Sequence, residues 1–249
     1  MDVTTGTDRS WLVFAAGSIM EAMVRAMAAF RAADGGEAGR LVGGPAGWLH
    51  GRILSAERPD LYLSASPAGP TDLVDRGLCR DLRHVCGNRL VVIARPGLEI
   101  SEATLVDRLL DPGLTIGTST PLTDPAGDYA LAVLSLLFER FPGRRDPRLR
   151  RREVVGQPGA REAGRQSPLV AAIATGQADL FFSYATTLPA VRRVLPRVTS
   201  VEVPTALAPE IRYTMALGMQ AAPAAERFAD WFLGPAGGLI LEEAGFLLP

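Results

Sequence analysis

Val13-Phe14-Ala15-Ala16-Gly17-Ser18-Ile19-Met20-Glu21 is the stretch whose reading decides the fold. The apolar run from Trp11 to Phe14 reads as a short strand, and Ala15-Ala16-Gly17 lets another molecule approach the main chain. Ser18 to Glu21 has the spacing of a capping box that opens a helix. Apolar residues then recur at helical spacing (Ile19, Met20, Met23, Val24, Met27, Phe30) up to Ala33-Asp34-Gly35-Gly36. A helix that starts this way offers unpaired N–H groups and the positive end of a dipole, a setting that stabilises an anion without a cationic side chain. Ser18 can also be read as an N-cap with no other role.

A second stretch repeats the logic about a hundred residues later. Asp124-Pro125-Ala126-Gly127-Asp128-Tyr129 again passes from an apolar run through small residues into a helical pattern. Gly43-Gly44-Pro45-Ala46-Gly47 precedes a helical pattern from Trp48 to Leu54, and Ser167-Pro168 opens another with Ser placed as N-cap and Pro at the first helical position. Ligands of open α/β sheets bind beyond the carboxyl ends of the strands, so these four entries are expected to converge on one cleft.

Outward from these entries, strand-like runs alternate with helical patterns along the whole chain, predicting an α/β architecture with mostly parallel sheets. The expected strands are 11–14, 40–42, 61–64, 90–94, 114–116, 153–155, 180–183, 198–203 and 211–217. Helical patterns lie between them, including 188–194, 224–233 and 237–244. The 249 residues exceed the usual single-domain size and 47% of them are hydrophobic, enough for a sizeable core in one large or two modest domains.

The formal net charge of −1 gives no reason to expect nucleic acid or a membrane surface as partner. All 26 basic residues are Arg, and the Arg-rich segment from Pro142 to Arg165 lacks interleaved aromatics and carries Asp146, Glu153 and Glu162, so it reads as a solvated loop. No apolar run is long enough to span a membrane, and Met1 to Gly6 lacks the basic and apolar regions of a secretory signal. Cys79 and Cys86 lie seven apart around an expected turn, a spacing that leaves a disulfide open, and two cysteines without clustered histidines predict no zinc site. His50 and His84, the only histidines, belong to no motif with a nucleophile, and nothing near Ser18 in sequence supplies a base; no catalytic residue, metal or cofactor is expected.

The chain resembles the ModA family of molybdate-binding proteins, periplasmic solute-binding components of molybdate and tungstate ABC transporters. The resemblance is carried, in family order, by Val13 to Ser18; by Ala46-Gly47-Trp48-Leu49 through Ile53 with Pro59-Asp60-Leu61-Tyr62-Leu63-Ser64-Ala65-Ser66; by Asn88-Arg89-Leu90-Val91-Val92-Ile93-Ala94; by Pro125-Ala126-Gly127-Asp128-Tyr129-Ala130; by Thr175-Gly176-Gln177-Ala178-Asp179 running to Tyr184; and by Phe228 to Phe246. It implies a type II periplasmic-binding-protein fold whose two lobes close on the ligand, with residues 1–88 and 201–249 in a discontinuous first lobe and 89–200 in the second. It also implies molybdate or tungstate as ligand, an ABC permease as partner, a monomer, and a periplasmic location with the signal already removed. The alternatives are a signal-less sensor, or a binding protein of the same fold for a different small anion.

Carried over residue by residue, the resemblance places Ser18, after Gly17, on the first serine ligand, Ala126 on the alanine whose N–H meets the oxyanion, and Tyr184 on the tyrosine that donates its hydroxyl. Two positions depart: Ala46 stands where the family has its second serine, and Gln166 where bacterial members have Val. The loss of a hydroxyl at Ala46 removes one hydrogen bond to a charged ligand, about 1.5 to 3 kcal/mol, and the Gln166 amide is expected to restore a donor. Archaeal tungstate-binding relatives carry a metal-coordinating Glu at the position of Gln166 and a second carboxylate at that of Asp124. Asp124 is therefore expected either to serve turn chemistry before Pro125 or to bear on the choice of anion.

Overall fold

A computed structural model describes residues 10–35, 38–155 and 167–249. Two five-stranded sheets form in this region, built to one plan. The first contains β1 (Leu12–Ala16), β2 (Arg40–Gly44), β3 (Leu61–Ser64), β4 (Cys79–Asn88) and β10 (Ile211–Gly218) in the order β2-β1-β3-β10-β4. The second contains β5 (Leu90–Ala94), β6 (Ile116–Ser119), β7 (Arg151–Val155), β8 (Leu180–Tyr184) and β9 (Thr199–Glu202) in the order β7-β6-β8-β5-β9. Within each sheet the first three strands pair in parallel and the last two join antiparallel. The parallel pairing expected from the sequence thus holds on one side of each sheet, and the crossover strands account for the other. The result is a two-lobed α/β periplasmic-binding-protein fold.

The chain leaves the first sheet at Asn88, enters the second at Leu90, and returns after Glu202 to place β10 between β3 and β4. The second lobe boundary expected at 200/201 falls inside β9, which pairs with β5, so the return to the first lobe begins later. Strands β3, β5 and β8 are buried along their whole length and read as continuous apolar runs because helices cover both faces. Helices α1 (Met20–Asp34), α2 (Ala46–Leu54), α3 (Ala68–Asp75), α8 (Pro223–Leu233) and α9 (Pro235–Glu243) flank the first sheet; α4 (Leu105–Leu110), α5 (Pro125–Arg140), α6 (Pro168–Ala174) and α7 (Leu188–Val194) flank the second. Beneath β1, Trp11 and Phe30 meet Phe228 with ring centroids 5.1 and 5.4 Å away, and Phe228 stacks on Phe232 at 5.6 Å. Packing of this kind fixes α1 and α8, and with them the turn that carries Ser18.

β4 is the strand that sequence patterning misses, and it replaces the turn expected between the two cysteines. Arg80, Asp81 and Arg83 interrupt its apolar pattern because β4 is a sheet edge, where charge is tolerated; Arg80 pairs with Glu226, and Arg83 with Asp81 and Asp230. Cys79 lies opposite Gly218 and Cys86 opposite Tyr213. Seven residues of strand separate the two thiols by about 20 Å, far beyond disulfide reach. Both are buried and free, and burial pushes the Cys79 thiol up to about 11.

Candidate functional site

A cavity of about 350 Å³ opens between the carboxyl ends of the two sheets. The entries to α1, α2, α5 and α6 all line it, so the four small-residue helix starts meet at one place. Gly17, Ser18, Ala46, Asp124, Ala126 and Tyr184 lie on its wall. Gln166 lies outside the described residues, so its proposed compensation for Ala46 carries no structural statement.

Ser18 does not form the expected capping box. The chain makes one 3₁₀ turn, Gly17–Ile19, before α1 begins, and the residue capping α1 is Ile19, without a side-chain bond. The Ser18 hydroxyl is thereby released from the helix and lies 2.6 Å from the Tyr213 hydroxyl. Tyr213 is fully buried, and burial raises its pKa far above the usual phenol value, so it remains a protonated donor. Asn88 Nδ2 reaches Tyr213 at 3.5 Å and donates to Thr186 Oγ1 at 3.0 Å, while its Oδ1 accepts the Arg89 N–H at 2.8 Å. This network joins the Ser18 wall to the crossover between lobes. Sequence gives Asn88 only as part of a resembling segment, with no site role, and does not single out Tyr213, which sits in an apolar strand and looks like core.

Across the cleft, Asp124 is the N-cap of α5 and Pro125 its first residue. Asp124 Oδ1 accepts the Ala126 N–H at 3.1 Å, so the turn role expected of this carboxylate is present and occupies the donor expected for an oxyanion. Gly127 is required by close approach: a Cβ there would come within 2.4 Å of the Ser119 carbonyl. Tyr184 closes β8 with its hydroxyl buried and without a hydrogen-bond partner among the described residues. Burial, then the neighbouring Tyr213 and Asp124, raises its pKa well above the usual value, keeping it a donor at neutral pH. The Tyr184 ring stands between those of Tyr129 and Tyr213, 6.5 and 6.1 Å away.

The two lobes touch at the cleft rim. The Gly47 N–H, in the first turn of α2, donates to the Thr123 carbonyl at 2.8 Å, and the Tyr129 hydroxyl donates to the Ala65 carbonyl at 2.9 Å. Ala46 turns its own carbonyl away to accept the Tyr62 hydroxyl at 2.8 Å. No Arg side chain lines the cavity among the described residues. Chemically the arrangement is a set of neutral hydroxyl and backbone donors with one carboxylate at its side.

The family model for bacterial extracellular solute-binding proteins matches residues 11–247. An uncharacterized protein of Pasteurella multocida (strain Pm70) is 37% identical over 101 residues, a match covering 40% of this chain and 42%, less than half, of that protein. Among solved structures, the periplasmic molybdate-binding protein of Azotobacter vinelandii superposes with a TM-score of 0.76 at 21% identity, covering 96% of this chain and 100% of that one. The sulfate-binding protein SubI of Mycobacterium tuberculosis gives 0.73 at 18% identity, with 95% and 86% covered. PEB3 of Campylobacter jejuni with L-phospholactate bound gives 0.71 at 13% identity, with 96% and 100% covered. At these identities the structural likeness is one of fold.

Proposed function

Because this chain belongs to the family of bacterial extracellular solute-binding proteins, we propose that its interlobe cleft captures an oxyanion and delivers it to an ABC permease. The sequence resemblance to the ModA family points to molybdate and tungstate as the first ligands to test, and to the periplasm as the place of capture. The observation that carries this reading is the Tyr184 hydroxyl, buried and without a hydrogen-bond partner among the described residues, on the wall of the same cavity as Ser18. A buried donor left without a partner is costly, and an anion in the cleft relieves it.

The first wall supports the same chemistry. Either hydroxyl can donate in the Ser18–Tyr213 bond; with Asn88 donating to Tyr213 and Tyr213 in turn the donor to Ser18 Oγ, the Ser18 proton is free to point at a ligand. Neutral donors at helix starts stabilise negative charge without holding it so strongly that release fails. Such a site sorts anions by size and donor geometry, since a smaller tetrahedral ion leaves donors unpaired. Titration calorimetry and thermal shift with molybdate, tungstate, sulfate and phosphate test the reading. A ligand present at about a hundred times its Kd adds about 2.7 kcal/mol of stability. Submicromolar binding of molybdate or tungstate is the expected result, and the absence of heat and of thermal shift with every oxyanion, organic ones included, overturns it.

A further inference from the structure

The cleft is larger and more apolar than a bare ion requires. A water molecule has about 30 Å³ of liquid volume, so a tetrahedral ion of one central atom and four oxygens takes on the order of 100 Å³ or less. The cavity of about 350 Å³ instead falls at the lower end of the range for sites that enclose small organic ligands.

Its chemistry is also uneven along its length. Ser18, Ala126 and Tyr184 stand at the ends of β1, β6 and β8, toward the middle of each sheet. The cavity then runs outward to the edge strands β2 and β7, where Gly44, Trp48, Val155 and Leu169 line it, with Ser119, the register partner of Val155, and Ser167 supplying hydroxyls beside them. Ala46 stands in the α2 entry between the two compartments and offers a methyl group. Trp48 is a braced wall: a Cβ on Gly44 would meet its ring at 3.0 Å, and the Arg52 guanidinium lies 4.7 Å from the ring centroid while bonded to Glu57 at 2.6 and 2.7 Å. A hydrated ion placed at the polar end leaves this outer compartment wet, and a dry ion there loses water without gaining partners.

From this division we infer that the ligand is an oxyanion group carried on a small apolar or aromatic body, the oxyanion held at Ser18 and Tyr184 and the body packed against Trp48. The inference rests on the oxyanion reading of the cleft and names the class of molecule that fills it. Burial of the apolar body adds affinity to that of the head group, and the head group fixes orientation.

Calorimetry on the intact protein compares each of phenylphosphonate, benzenesulfonate and benzoate with phosphate, sulfate and acetate, alongside molybdate and tungstate. At least one aryl compound is expected to bind about tenfold or more tighter than its bare counterpart and than either metal oxyanion. Trp48→Ala removes that gain while leaving the bare ion's affinity within about threefold, and Trp48→Phe, which keeps an aromatic wall, retains it. The melting temperatures of both variants confirm that each is folded. Tighter binding of molybdate or tungstate than of every aryl compound overturns the inference while the oxyanion reading stands. Silence toward all of these ligands overturns both, and an aryl gain that survives Trp48→Ala in a folded variant overturns the assignment to Trp48.

Discussion

The two walls of the cleft carry the same kind of group in opposite conditions. On the first wall Ser18 is already engaged with Tyr213, and through Asn88 and Thr186 with the crossover between lobes. On the second, the Tyr184 hydroxyl has no partner among the described residues, and the Ala126 N–H is taken by the Asp124 carboxylate. The difference separates two tasks. The first wall is tied by hydrogen bonds to the crossover between lobes whether or not ligand is present. The second holds a hydroxyl that is unpaired among the described residues and that an occupant of the cleft can satisfy.

The largest effect is expected where the walls meet. A Cβ on Gly47 would lie 2.0 Å from the Leu122 carbonyl oxygen and 2.9 Å from that of Thr123, so Gly47→Ala forces the second lobe away. Helix propensity alone favours Ala at this site by about 1 kcal/mol, so the variant is expected to fold. Ligand binding should weaken about a hundredfold or more, because donors from both walls no longer reach one ion. Small-angle scattering that shows ligand-dependent compaction in Gly47→Ala equal to that of the parent would remove the lobe contact from the account.

A smaller effect distinguishes the walls directly. Tyr184→Phe removes a hydroxyl that makes no hydrogen bond among the described residues, so stability should hold or rise slightly. Its loss from the liganded state should weaken binding by about 1.5 to 3 kcal/mol, a factor of roughly 10 to 100. Ser18→Ala removes the better of two contacts to the buried Tyr213 hydroxyl and should lower stability by about 1 to 2 kcal/mol while also weakening binding. Calorimetric melting and ligand titration of both variants give a crossed pattern if the walls differ as described. Equal stability losses would erase the distinction.

How far this was legible in sequence follows from the range of the forces involved. Small residues between an apolar run and a helical pattern are local signals, and the stretches they mark bring Gly17, Ser18 and Ala126 to the wall of one cavity. The capping box failed because its local geometry competes with a bond to Tyr213, 195 residues away, which no window along the chain contains. β4 was missed for a related reason: its charged residues look like a turn until Glu226 and Asp230 of α8 arrive to pair with them. The strand expected at 198–203 is present as β9, but which sheet it joins is set by its pairing with β5, so the lobe boundary expected at 200/201 falls inside it.

Asp124 is the place where the two walls can be rebalanced with the smallest change. Asn caps helices about as well as Asp, so Asp124→Asn can keep an acceptor on the Ala126 N–H while removing a negative charge from the cavity wall. If the carboxylate acts only as a cap, the neutral variant relieves repulsion of the bound anion. Affinity then rises by about tenfold at low salt, and the gain shrinks as ionic strength increases. Titrations at two salt concentrations measure both effects. Weaker binding in Asp124→Asn reverses the assignment: the carboxylate would then be a ligand, accepting a proton from the anion's own hydroxyl or meeting its central metal atom while still capping α5.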